Sequence, residues 1–317
     1  MLLEIRHRTE LTYTERIHES VIELRVTPRS DKSQTLRSFG LTIGPEAPVF
    51  NHRDWNDNQV HHFSIAGFHE RVVIAAFAMV ETHPARVDLE SAPDALPVGR
   101  LHHRFHDFLA FAGPVTRDAR LGALAESIGF SSTKRTAEVL QRVMKQVGDK
   151  LDYERGVTSS STSVSAALDA GKGVCQDFAH LGIALLRRSG IPARYVSGYV
   201  HREGKRELET HAWCEAFLPS IGWVGIDPTH RELAGERHVA VAAGRSYADV
   251  PPNRGVYRGD AEESIAVSVA IRKLDDVLAP HSPVWPGPLD VPVFRTGPAV
   301  EEEVSLFLLE QQQQEQQ

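Results

Sequence analysis

Apolar side chains in the first eighty or so residues fall in short, alternating groups. Leu3 and Ile5, Val21 to Val26, Phe39, Leu41 and Ile43, Val60, Phe63 and Ile65, and the run Val72 to Val80 are separated by polar turn residues. Period-two spacing sends successive side chains to opposite faces of a strand. Several short strands spaced this way predict an all-β sandwich, so residues 1–90 are expected to form an N-terminal β-sandwich domain. The stretch from about residue 85 to 115 is rich in Pro, His and Ala and reads as a connection containing some helix.

Beyond it the period changes to 3.6. Val139, Leu140, Val143, Met144 and Val147 share one face and predict a helix over Thr136–Val147. Phe178, Leu181 and Leu185 predict a second over Cys175–Ser189, with Gly173 ahead of it and Gly190-Ile191-Pro192 as the stop. Strands are predicted at Ala193–Val200, His211–Leu218, Gly222–Asp227 and Ser264–Leu274, the second and third joined by Pro219-Ser220-Ile221-Gly222. Helices followed by a sheet make residues 91–274 an α+β domain. Residues 275–317 remain as a Pro-rich extension with a low-complexity Gln-rich tail, expected to be disordered.

Composition removes several function classes. A chain of 317 residues suits about two domains. Its longest apolar run, nine residues, falls short of the roughly twenty that a membrane helix needs. The net charge of -7, without a long basic run, argues against nucleic acid as a partner. Two cysteines cannot build a disulfide framework or a zinc site, and no metal is expected. His102 and His106 lie one helical turn apart but no carboxylate motif follows, and Gly171 and Gly173 are too sparse for a phosphate loop, so no cofactor is expected. The opening MLLEIRHRTE carries charges where a signal peptide needs an apolar core, which points to the cytoplasm. Oligomeric state is not legible.

Chemistry concentrates after residue 170. Cys175 is expected at a helix N-terminus, where free N–H groups and the helix dipole favour the thiolate. A thiolate nucleophile needs a proton partner and an orienting group, and His211 and Asp227 are the candidates. If residues 217–221 form a hairpin loop, Ala216 faces Gly222 and His211 lies opposite Asp227, within reach of a hydrogen bond. Cys214, three positions along the strand, faces the other side and reads as a buried structural thiol. His180 is about 140° around the helix from Cys175 and should not reach its sulfur. His201 and His230 flank the key strands as weaker candidates for the base.

The blocks GKGVCQDFAHLGIALLRRSGIPARYVSGY and HAWCEAFLPSIGWVGIDPTH, with RSYADVPPNRGVYRG, resemble the bacterial transglutaminase-like superfamily over about residues 151–259. The N-terminal strands resemble the β domain that precedes this core in many bacterial members. The resemblance implies a papain-like α+β fold with Cys175 as nucleophile, His211 as base and then acid, and Asp227 as orienting group. Animal members place a tryptophan upstream of the nucleophile as oxyanion donor, but none occurs here between Trp55 and Trp213. The Tyr153 hydroxyl and the Cys175 backbone N–H are the candidate donors instead, and Gln176 and Trp213 are candidate cleft residues. No EF-hand loop is present, so the calcium dependence of animal members is not implied. The expected activity is amide-bond chemistry on a protein or peptide through an acyl-thioester, resolved by water or alternatively by an amine. A non-catalytic interaction scaffold is the competing class.

Overall fold

The computed structural model describes residues 1–84, 88–96, 103–129, 135–204, 207–208 and 210–274. His102 and the Pro-rich and Gln-rich segments of 275–317 lie outside these. The N-terminal half contributes β1 (Leu2–Leu24), β2 (Gln34–Gly44), β3 (Phe50–Arg53) and β4 (Gln59–Thr82). Four helices follow, α1 (Ala119–Ser127), α2 (Thr136–Lys150), α3 (Val164–Ala170) and α4 (Cys175–Arg188). Among them lie the short strands β5 (Asp152–Tyr153) and β6 (Lys172–Gly173). The remainder is β7 (Ala193–Val200), β8 (Glu207–Leu208), β9 (His211–Leu218), β10 (Gly222–Asp227), β11 (Glu232–Leu233), β12 (His238–Gly244), β13 (Asn253–Arg258) and β14 (Glu263–Leu274).

The N-terminal strands are not the short strands of a sandwich. β1 and β4 are 23 and 24 residues long and pair antiparallel throughout, with register shifts between Thr12 and Glu19. The polar stretch that reads as a break in the sequence is thus a bulged bend within a continuing strand. Residues from both arms of each ribbon, Leu11 and Ile22 of β1 and Phe63 and Ile74 of β4, share one core cluster, so the ribbon folds back on itself. Hydrogen bonding joins these strands into one seven-stranded sheet, β2-β4-β1-β14-β8, with β13 on β1 and β3 on β4. β13 and β14 belong to this sheet although they follow α4 and the second sheet in sequence. They pair with the two arms of β1, Leu24 opposite Asn253 and Leu2 opposite Leu274.

The second sheet is antiparallel in the order β11-β10-β9-β7-β12. The even-numbered side chains of β9, Ala212, Cys214, Ala216 and Leu218, are buried in the core that also holds α2 and α4. α4 approaches β9 closely at Gly182, where an added Cβ would lie 2.9 Å from the Cys214 sulfur. The last turn of the helix holds Arg187, a buried guanidinium that donates to the carbonyls of Ala110, Ala193 and Arg245.

The two sheets are tied together at the free edge of β12. The Gln34 carboxamide donates to Ala240 O at 2.9 Å and accepts its N–H at 2.7 Å. The Asn58 carboxamide does the same for Ala243, at 2.9 and 2.8 Å. Both amides are buried, so each replaces a missing strand for one residue of the edge. Substituting Asn58 by Leu leaves a buried N–H and C=O unpaired, an expected loss of roughly 2–4 kcal/mol in urea unfolding. The same change at exposed Asn51 should cost far less.

Candidate active site

Cys175 opens α4 after Val174, whose backbone is extended at φ -111. Asp177 fixes this start by accepting the Val174 N–H at 2.8 Å and the Thr158 hydroxyl at 2.6 Å. Gly173 is required beside it, because a Cβ there would meet the Asp177 side chain at 2.7 Å. The half-buried Cys175 lines a pocket of about 350 Å³ together with Tyr153, Gln176, Tyr195, Thr210, His211 and Val267, among others.

His211 begins β9 and donates from Nε2 to Asp227 Oδ2 at 2.8 Å. The expected hairpin register is corrected here. Leu218 pairs with Gly222 and Cys214 with Ile226, so the loop is Pro219-Ser220-Ile221 rather than five residues. Phe217 is held in the strand by Phe105 and Trp223, at ring distances of 4.1 and 5.4 Å, and Gly222 closes the turn at φ 100. Continued by one residue, this register sets Asp227 across from Trp213, diagonal to His211. The change is two residues in the pairing, so Asp227 keeps its face and stays within reach of His211.

Asp227 is fully buried and accepts five hydrogen bonds. Oδ1 takes the backbone N–H groups of Thr229 and His230 at 3.0 and 3.2 Å. Oδ2 takes His211 Nε2, His230 Nδ1 at 2.6 Å and His238 Nε2 at 3.2 Å. Burial alone would raise the Asp227 carboxyl, but the three imidazole donors outweigh it and hold the group far below the usual carboxylate range. A carboxylate only accepts, so each of these ring nitrogens carries its proton. In its neutral form His211 then has an unprotonated Nδ1.

Asp227, His230, Glu232 and His238 also place ligand atoms within 4.8 Å of one another. The proton positions oppose a metal reading. His238 Nδ1 accepts the Gly235 N–H at 3.2 Å, which keeps the proton on Nε2, whereas a ligating imidazole donates from its outer nitrogen. The cluster fits a carboxylate held by donors.

Thiolate formation at rest is not favoured as the helix start suggests. Burial pushes the Cys175 thiol up to about 11, although the Ala212 and Gln176 backbone N–H groups pull it down. Burial likewise lowers His211, against the pull of Asp227. Both directions favour a neutral thiol and a neutral imidazole.

The other candidates separate cleanly. Tyr153 is 49% exposed at the pocket rim and packs beside Phe178. Gln176 lines the pocket, but its carboxamide donates to Ser159 O at 2.9 Å. Trp213 does not line the Cys175 pocket. It stacks on His211 at 6.2 Å and forms a wall of a second cavity of about 590 Å³ behind it. Cys214 is buried against α4, with burial raising its thiol. His180 accepts the Tyr247 N–H at 3.1 Å, and burial lowers its imidazole to about 3. His201 is buried at the end of β7, where its backbone N–H donates to Arg237 O. His230 serves Asp227 rather than replacing His211.

His238, Tyr195 and Tyr247 were not legible as site residues. His238 opens β12 in an apolar run, Tyr195 lies among core residues of β7 and Tyr247 in a short turn after β12, so none stands out as chemistry. The one available signal was His238 as a polar first residue of an otherwise apolar strand.

The chain belongs to the transglutaminase-like superfamily. Residues 122–228 match the Transglutaminase-like superfamily core, and residues 3–81 match the Bacterial transglutaminase-like N-terminal region. The uncharacterized protein Rv2569c of Mycobacterium tuberculosis (strain ATCC 25618 / H37Rv) is 33% identical over 281 residues, covering 82% of this chain and 89% of that protein. A protein-glutamine gamma-glutamyltransferase of Pseudomonas aeruginosa is 35% identical over 105 residues, 29% of this chain and 16% of its own length. The crystal structure of a candidate cysteine protease from Cytophaga hutchinsonii shares the fold with a TM-score of 0.73 at 22% identity, covering 87% of this chain and 93% of that one.

Two outcomes are expected. Iodoacetamide labelling of Cys175, resolved by mass spectrometry, should rise with pH through a midpoint above the free-thiol value of about 8.5, with Cys214 inert throughout. Asp227→Asn should cost roughly 3 kcal/mol or more. A depressed carboxyl contributes stability that is present above its unfolded value of about 3.9 and is lost as pH falls toward its folded value. The urea midpoint of the wild type should therefore fall more steeply below about pH 4 than that of the variant.

Proposed function

We propose that the protein is a cysteine-dependent amide-bond enzyme working through an acyl-thioester on Cys175. The observation that carries this is the shared pocket of Cys175 and His211, with the far nitrogen of His211 pinned to buried Asp227. The free Nδ1 of His211 takes the thiol proton as the sulfur attacks a bound carbonyl carbon. Negative charge developing on the carbonyl oxygen is met by the Cys175 backbone N–H, with the Tyr153 hydroxyl as second donor. The imidazolium, stabilised by Asp227, then protonates the departing nitrogen, and the C–N bond breaks to leave the thioester. Neutral resting partners suit this sequence, because charge is created only when substrate excludes water from the pocket.

Water is the favoured acceptor, since it requires no second binding surface, and the outcome is hydrolysis of a peptide or side-chain amide. Transfer to an amine is the second reading, favoured by the match of the core to a protein-glutamine gamma-glutamyltransferase. Turnover of casein with and without a primary amine, followed by product mass, separates the two. Cys175→Ala should abolish both products, and His211→Ala should lower turnover by 10²-fold or more, on the order of a lost general base. Full turnover by Cys175→Ala would sink the nucleophile, leaving a scaffold role as the better account.

A further inference from the structure

β14 has a neighbour on both sides along only part of its length. It pairs with β1 from Glu263 to Leu274, while on its other side, among the described residues, β8 pairs with Val269 and Ala270. Among the described residues, Glu263–Ser268 therefore presents an open strand edge, with alternate N–H and C=O groups pointing away from β1. All six of these residues are exposed.

The side chains along this stretch carry a second signal. Val269 and Ile271 are buried in the core that holds α4. The same face of the strand continues into Val267 and Ile265, which are 45% and 51% exposed. Val267 is also a wall of the Cys175 pocket. An unpaired backbone edge and a row of apolar side chains thus lead directly out of the pocket. β8 marks the line that an added strand would follow, and Thr210, two residues past its end, is another pocket wall. Free strand edges usually carry charged side chains, Pro or a bulge, and along Glu263–Ser268 only Glu263 at the outer end is of this kind.

We propose that this edge binds the substrate as an added antiparallel strand, so that the enzyme acts on extended polypeptide segments rather than on small amides. Backbone pairing to Glu263–Ser268 supplies affinity without sequence demands, and Ile265 and Val267 favour apolar or β-branched residues at alternate substrate positions. The reactive amide is carried past Val267 to the Cys175 sulfur. This inference rests on the reading of Cys175 as nucleophile, and its test keeps the two apart.

The full-length Cys175→Ala protein is mixed with a synthetic dodecapeptide in which a central glutamine is flanked by alternating Val and Thr, and amide exchange is followed residue by residue. Alternate amides within 264–268 should slow by about tenfold or more on peptide addition, as new ladder hydrogen bonds require. N-methylation of the peptide at alternate residues should abolish this in one phase and spare it in the other. In the wild type, the dodecapeptide should be turned over at least about tenfold faster than an end-capped Gln-Gly dipeptide, through lower KM. Exchange unchanged by millimolar peptide would overturn the proposal. So would protection, in the free protein, of the amides that point away from β1, which would mean that the chain covers its own edge, or N-methylation effects without period two. If Cys175 proves chemically inert while the peptide still protects alternate amides, the docking surface stands and the nucleophile reading falls.

Discussion

A carboxylate removed from water must either take up a proton or have its lone pairs filled by donors, and Asp227 is filled to five. Much of the second sheet is arranged around that requirement. In a flat sheet β10 and β12 would sit three strand spacings apart, about 14 Å. Yet His238 of β12 reaches Asp227 of β10 at 3.2 Å. The sheet must curl strongly toward the face that carries His211, Trp213 and Asp227. Trp213 lies in the resulting hollow, and glycines make room for it at both ends. A Cβ at Gly198 would meet its ring at 2.7 Å, and one at Gly225 would lie 3.4 Å from its indole nitrogen. The curl, the stacked indole and the fixed tautomer of His211 are one packing solution.

The same burial that strengthens the Asp227 hydrogen bonds works against ionisation of Cys175. A helix start supplies N–H groups that favour the thiolate, but the pocket removes more solvation than those groups return, and the thiol rises to about 11. His180 shows the same medium from another side, with its imidazole lowered to about 3. Position on a helix is therefore a weaker guide to thiol chemistry than the degree to which the surrounding elements exclude water.

The elements that carry the candidate site were legible because each has a local cause. α4 follows from Gly173, its apolar period and the Gly190-Ile191-Pro192 stop, and β7, β9 and β10 from short β-branched and aromatic runs between turn residues. The register of β9 on β10 was not, because it depends on Phe105 reaching Phe217 from more than a hundred residues away. Only the parity of the pairing was within reach, and it sufficed to put Asp227 on the face of His211. β1 and β4 failed differently. Their polar bend carries turn residues, and nothing local distinguishes a bulge in one long strand from a break between two. The return of β13 and β14 to the N-terminal sheet is likewise a long-range pairing, invisible to any window of neighbouring residues.

Two sheet edges are treated in opposite ways. β12 is buried beside β7, and its unpaired groups are met by Gln34, Asn58 and the Arg29 N–H, three residues contributed by the other half of the chain. Each buried amide there meets its partners in both directions at once. β14 carries no such covers along Glu263–Ser268 among the described residues. An edge facing solvent can leave its groups to water, so the difference follows from burial. The consequence concerns the pocket, because Val267 places the uncovered edge, and not the sealed one, beside Cys175. The N-terminal sheet thus has two jobs set by its geometry: one flank closes the edge of the second sheet, and the other supplies part of the wall of the Cys175 pocket.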